Sequence, residues 1–321
     1  MPREDAVSTV LRSVRMTGSV HFCFMPAGDW RIDAPKSMGM DTGMLRFVPF
    51  HIIVEGQCWL TIHDRRLALA PGDVIAFPRG AAHQLGVGEC GRLINPLADL
   101  PTASSTGIPL LRYGDGPDRV RMMCGYLECD ALEFRPIRDV LPELLMVSTA
   151  DDAGAGWFAA SIAQIVTEVD RPSAGGRTVL ERLTEMMFLD LLRREISRCD
   201  MSGSGWMAAV ADPAVSMCLT MIHQDPMSDW TIDELARRAG TSRSVLIDRF
   251  KALLDASPIG YIRGWRLHLA SLRLLESNLT ISEVAYEVGY ASEAAFNRAF
   301  KRAYGEPPAA WRKARADHVI S

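Results

Sequence analysis

Two stretches near the end of the chain share one pattern: WTIDELARRAGTSRSVLIDRFK at residues 230–251 and LTISEVAYEVGYASEAAFNRAFK at residues 279–301. They align on Ala236 and Gly240 in the first copy and on Ala285 and Gly289 in the second, and Phe250 and Phe300 follow the glycines at nearly the same distance. In each copy a threonine, Thr231 or Thr280, stands where an N-cap is needed before a short acidic amphipathic helix. The glycine supplies the residue that ends that helix, and Ser242 or Ser292 caps the next. The pattern predicts two helix-turn-helix units, which implies a function on DNA.

Around the two copies, Trp230, Leu235, Leu246, Phe250, Ile262, Leu267, Leu274, Val284, Val288, Phe296 and Phe300 fall at core spacing. The tail is therefore expected to be a bundle of about seven helices, with the second helix of each unit presented to solvent. Two such helices on one rigid frame enter successive major grooves on one face of a duplex only if they lie roughly 34 Å apart. Charge helps little. The formal net charge is -4; from Pro213 onward 14 Lys and Arg face 12 Asp and Glu, against 21 and 27 upstream. A tail this weakly basic depends on groove geometry more than on long-range attraction.

The whole chain, 321 residues and 48% hydrophobic, has room for two domains and a sizeable core. No apolar run approaches the ~20 residues of a membrane span, and MPREDAVSTVLRSVRM carries charges where a signal peptide needs an apolar core. A cytoplasmic protein with no membrane partner is expected. The seven cysteines, Cys23, Cys58, Cys90, Cys124, Cys129, Cys199 and Cys218, are scattered and odd in number, so they are expected to be thiols.

Up to about Pro142 the chain reads as short alternating strands separated by Gly, Pro and Asp turns, which predicts a barrel or jelly roll. Within it, IIVEGQCWLTI and LALAPGDVIAFPRGAAHQL resemble the core of the cupin fold, with a strand ending at Gly56, a turn at Pro71-Gly72-Asp73 and a corner at Pro78, Gly80 and His83. The residues before Gly56 lack the His-x-His and Glu of the usual cupin metal motif, which argues against an oxygenase-like iron site. From Gly154 to Arg198 the period turns helical, and Leu180, Leu183, Met187 and Leu191 form one stripe. These helices would cover the barrel, form a dimer interface, or do both. SRCDMSGSGW then reads as a flexible linker.

ISEVAYEVGYASEAAFNRAFKRAYGEPPAAWR, with Gly289, Phe296, Phe300, Lys301, Gly305, Pro307 and Pro308, resembles the signature of the AraC/XylS family of transcription regulators. The resemblance covers roughly the last 100 residues. Taken with the upstream readings, it predicts an α+β chain without enzymatic activity: a cupin-like β-barrel sensor over residues 1–150, a helical dimerisation or packing segment over 151–199, a linker over 200–212, and an all-α double helix-turn-helix domain over 213–315. Its partners would be double-stranded promoter DNA, RNA polymerase and a second copy of the chain, and no cofactor is required for DNA binding. By position, the family's base contacts fall on Ser244, Ile247 and Asp248 in the first unit and on Glu293, Asn297 and Arg298 in the second. Arg298 suits guanine, Asn297 adenine and Ile247 a thymine methyl. Asp248 and Glu293 would accept from cytosine or hold Arg249 or Arg243 in place. Ser242, Arg243, Ser292, Lys301 and Arg302 are expected on backbone phosphates, which position without specifying.

The order of upstream elements resembles the subset of this family with a cupin-like sensor, some members of which respond to reactive chlorine species through cysteines. The corresponding candidates are Cys23 and Cys124. If His51 and His83 line the same barrel interior, the four side chains form a Cys2His2 set suited to zinc, which would keep both cysteines as oxidant-sensitive thiolates. Buried cysteines and strand histidines also serve simply as packing. Two further readings stay open: a small organic effector against His51, His83 and Trp59, and a cupin metalloenzyme with an accessory DNA-binding tail.

Overall fold

In this computed structural model of the protein, the described residues are 16–34, 47–100, 107–116, 118–129, 134, 141–150, 156–198 and 205–316. They divide into two compact units, one built mainly from residues 15–132 and 141–198, the other mainly from 199–321. No described helix is long and apolar enough to cross a membrane.

The first unit has strands β1 (Met16–Pro26), β2 (Trp30–Ala34), β3 (Phe47–Glu55), β4 (Cys58–Ile62), β5 (Arg65–Leu69), β6 (Asp73–Ala76), β7 (His83–Val87), β8 (Arg92–Ile94), β9 (Leu110–Tyr113), β10 (Arg121–Cys129) and β11 (Leu145–Ser148). Among the described residues they pair into two sheets, ordered β11-β6-β3-β10-β1-β9 and β5-β4-β7-β2-β8, and not into one closed barrel. Alternation along each strand turns one face of both sheets into a common apolar core. Phe22, Phe24, Ile53, Ile75 and Met122 come from the first sheet, and Trp30, Ile32, Leu60 and Leu85 from the second.

Two helices follow, α1 (Gly156–Asp170) and α2 (Gly176–Arg198). Of the expected stripe, Leu180, Met187 and Leu191 are buried and Leu183 is half-buried. Helix α2 lies against β1. Gly18 permits that approach, because a Cβ there would lie 2.1 Å from Thr184 Oγ1. The apolar face of these helices thus covers the six-stranded sheet.

Residues 200–204 of the expected linker, like Cys199, lie outside the described residues. Its remainder is not a linker: Trp206–Ala211 form helix α3, because Ala208, Ala209 and Val210 give that segment a buried side. Then come α4 (Pro213–Gln224), α5 (Ile232–Arg238), α6 (Arg243–Leu254), α7 (Pro258–Glu276), α8 (Ile281–Glu287), α9 (Glu293–Tyr304) and α10 (Pro308–Ala316). The caps are those the sequence specifies. Thr231 accepts from the Glu234 N–H at 3.1 Å, and Thr280 and Glu283 form a reciprocal capping box. Ser242 and Ser292 accept from the N–H groups of Val245 and Ala295 at 3.3 Å. Gly240 and Gly289 take φ of 65° and 79° between the paired helices, a conformation that costs a side-chain-bearing residue.

Helix α7 packs against α6 on one unit and against α8, α9 and α10 on the other. Leu267, Ala270, Leu274, Val284, Val288, Phe296, Phe300 and Trp311 form the core of the second unit. Trp230, expected in the core, is only half-buried: its indole N–H is drawn out to the Asp225 carbonyl at 2.7 Å, and Arg238 lies over its ring.

Two histidines are buried in the same body. His223 stacks on Trp265 and shares a 2.9 Å hydrogen bond with the Tyr261 hydroxyl, and His268 lies beside Trp265. Burial lowers their pKa values to about 3 and about 4. Neutral imidazole is favoured in the folded state, so this contribution to stability is complete above pH ~6.5 and is lost as pH falls toward 4. Urea midpoints measured from pH 8 to pH 4 should decline, and His268→Gln should flatten part of the decline. Identical slopes in both proteins would contradict this reading.

Candidate nucleic-acid interface and sensor core

Each recognition helix buries a pair of residues four positions apart: Leu246 and Phe250 on α6, Phe296 and Phe300 on α9. With ~100° per residue, the opposite side of each helix must face water. On α9 that side carries Arg298, Lys301 and Arg302, all exposed, with Glu293 at its start and Asn297 half-buried on one flank. None of the three cations forms an ion pair among the described residues.

On α6 the exposed residues are Arg243, Ser244, Val245, Asp248, Arg249, Lys251 and Ala252, whereas Ile247 is half-buried on the flank. Asp248 holds neither neighbouring arginine. Arg249 pairs with Asp212 at 3.0 Å and Arg243 lies 3.4 Å from Asp233, so that expectation is corrected: helix geometry points Asp248 outward, away from both. Ser242 and Ser292 spend their hydroxyls on helix capping. Val245, one turn before Asp248 and off the Leu246/Phe250 side, shares that outward face.

In the other unit, three of the four proposed metal ligands meet inside the apolar core. His51 on β3 stands directly opposite Cys124 on β10, with Nδ1 3.1 Å from Sγ, and its Nε2 lies 3.1 Å from His83 Nε2 on β7. His83 Nδ1 is 2.9 Å from the Ala81 carbonyl. A carbonyl only accepts, which fixes the direction of the whole chain in the neutral state. His83 Nδ1 donates to Ala81, its Nε2 accepts from His51 Nε2, and His51 Nδ1 accepts from the Cys124 thiol. Phe77 stacks on His83 with 3.6 Å between ring centres. Burial lowers both imidazoles, His83 to about 4, and pushes the Cys124 thiol well up.

Cys23 is not part of this group. Phe22 pairs with Cys124 and Cys23 with Met123, so the pleat sends Cys23 to the opposite face of the sheet. There it lies beside the Arg121 guanidinium, which donates to Asp170 at 2.5 and 3.2 Å. Burial raises the Cys23 thiol, with Arg121 offsetting part of the effect. A guanidinium is an unfavourable neighbour for a cation, and both nitrogens of His51 are engaged. Among the described residues no three His, Cys, Asp or Glu groups are arranged to hold a metal ion. Cys23, His51, His83 and Cys124 are therefore not brought together as one Cys2His2 zinc set, and burial favours the protonated form of both thiols.

Trp59 faces a groove that neither His51 nor His83 lines. It lines a groove of about 380 Å³ with Cys58, Arg66, Leu67, Leu69 and Val87. Arg66 lies over the Trp59 ring at 4.4 Å, and the indole N–H donates to the Gly88 carbonyl.

Comparison with known proteins agrees with both halves. Residues 5–197 match a family described as Cupin, and residues 235–314 match one described as Helix-turn-helix domain. A putative AraC-like transcription regulator of Streptomyces lividans is 32% identical over 96% of this chain and 98% of its own. The regulator AlkR of Acinetobacter baylyi is 26% identical over 96% of this chain and 99% of its own. The RCS-specific transcriptional activator RclR of Escherichia coli is 22% identical over 96% and 97%. A cupin domain followed by two helix-turn-helix units, aligned with AraC-like regulators along nearly the whole chain, identifies the protein as a member of the AraC-like family of DNA-binding transcription regulators.

Proposed function

We propose that the chain binds promoter DNA sequence-specifically by placing α6 and α9 in successive major grooves, and that its cupin unit changes this binding in response to an oxidant. The observation that carries the first part is the outward face of α9. Arg298 lies opposite the buried Phe296/Phe300 pair, with Lys301 and Arg302 beside it. Arg298 is assigned to guanine and Asn297 to adenine, while Lys301, Arg302, Arg243 and the N-terminal turns at Ser242 and Ser292 lie against phosphates. Ser244, Ile247, Asp248 and Glu293 complete the groove-facing set.

For the signal, the support is a thiol held 3.1 Å from a neutral imidazole in a hydrogen-bonded chain that joins the two sheets. The E. coli relative named for RCS specificity supports the same reading. Hypochlorous acid would convert the Cys124 thiol to a sulfenic acid with release of chloride. Sulfur loses two electrons to chlorine, and His51 Nδ1 takes the thiol proton. Cys23, beside Arg121 on the other face, is the second candidate. The new hydroxyl does not fit a site shaped for a thiol, so the β3–β10–β7 packing must shift. A small organic effector in the groove beside Trp59 and Arg66 is the second reading, favoured by the cation and aromatic ring that line it.

Homodimerisation is assigned to α2, whose outward side exposes Met186 and Val179 by 57% and 40% while its other side covers the sheet. Loss of the dimer in Met186→Glu, read by analytical ultracentrifugation, would support this, and an unchanged mass would refute it. RNA polymerase is the expected partner at the promoter, in the cytoplasm.

Arg298→Ala should cost about 1–3 kcal/mol at its own operator base pair and relax specificity there. Equal loss on every sequence would count against base reading. For the sensor, operator affinity should be measured before and after stoichiometric hypochlorous acid. Wild type should change and Cys124→Ser should not. If Cys124→Ser and Cys23→Ser both respond like wild type, the oxidant reading gives way to the organic effector.

A further inference from the structure

The two recognition helices share one plan but present opposite chemistry. Superposing their buried pairs sets Ser244 against Ala294, Val245 against Ala295, Asp248 against Arg298, Lys251 against Lys301 and Ala252 against Arg302. The outward side of α9 carries three cations without a carboxylate partner among the described residues. On α6 each exposed cation is already paired: Arg249 with Asp212, Lys251 with Asp255 one turn on, and Arg243 with Asp233. What remains free at the centre of that face is a carboxylate, Asp248, with Val245 one turn before it and Ala252 one turn after. Val245 is 39% exposed on that face.

We propose that α6 reads bases with little help from phosphates, whereas α9 adds phosphate-derived affinity to its own base contacts, and that Val245 reads a thymine methyl next to a cytosine whose N4 amino group donates to Asp248. The chemistry follows from what the face lacks. With Arg249 and Lys251 each beside a carboxylate of its own, α6 gains less from phosphate neutralisation than α9, so bringing Asp248 near a polyanion is most tolerable where the carboxylate meets a donor at the base edges. In the major groove cytosine N4 is such a donor, and the C5-methyl of thymine is the matching apolar surface for Val245. Val245, more exposed than the half-buried Ile247 on the flank, is placed to add a methyl contact on the same face. Helix α9, by contrast, displaces counterions through Lys301 and Arg302.

This inference rests on the promoter-binding reading, and its test separates the two. The full chain selects its operator from a pool of randomised duplexes. Each thymine of the selected site is then replaced by uracil, which removes only the methyl group. One replacement in the half-site bound by α6, adjacent to a required C·G pair, should weaken binding about fourfold, the effect of one buried methyl. Val245→Ala, a change at an exposed position that leaves the bundle core untouched, should abolish this discrimination. In parallel, Lys301→Gln/Arg302→Gln should reduce the slope of log affinity against log salt by ~1.8, whereas Arg249→Gln/Lys251→Gln should leave it unchanged. Discrimination between thymine and uracil that persists in Val245→Ala, or equal losses of slope in the two double variants, would overturn the division of labour while leaving promoter binding intact. Failure to select any sequence would instead remove the promoter-binding reading itself.

Discussion

Two buried pairs, Leu246 with Phe250 and Phe296 with Phe300, orient the rest of the DNA-binding half. A helix free to roll about its axis has no reading face; one whose two aromatic or aliphatic side chains are locked into a core four residues apart has a single outward side. Helix α7 provides the surface into which both pairs sink, and Gly240 and Gly289 set the turn that delivers each recognition helix to it. The reading residues therefore follow from the core residues. Because the same scaffold is used twice, differences between the outward sides of α6 and α9 are free to specialise without cost to packing.

The cupin half depends on a comparable constraint of β pairing. The register that places His51 opposite Cys124 also places Cys23 opposite Met123, so one thiol belongs to the interior and the other to the outer face. The interior thiol joins a chain of neutral donors and acceptors ending on the Ala81 carbonyl, in which every polar atom has a partner. Such a chain is costly to perturb in an apolar core, which makes it a sensitive place to introduce one oxygen atom. The outer thiol sits where α1 and the six-stranded sheet are tied together by Arg121 and Asp170.

What the sequence made legible was local. Thr231, Thr280, Ser242, Ser292, Gly240 and Gly289 act within a few residues of themselves, and helical spacing fixed nearly every core position of the tail. Trp230 was misplaced because it flanks a helix and periodicity does not govern it. The proposed zinc set failed for a non-local reason: residue identity cannot reveal the face on which a strand residue lands, and a one-residue difference in register separates Cys23 from Cys124. Similarly, Trp206–Ala211 looked like part of a Gly/Ser linker until tertiary packing gave it a buried side. Ion pairs such as Arg249 with Asp212, 37 residues apart, are also invisible to local patterns.

The most direct test is a chemical footprint of the full chain on its selected operator, read by methylation protection of guanine N7 and by hydroxyl-radical cleavage. Two recognition helices held by α7 should protect two major-groove segments about 10 base pairs apart on the same face of the duplex. Protection confined to one groove, or to two grooves on opposite faces, would contradict simultaneous use of α6 and α9.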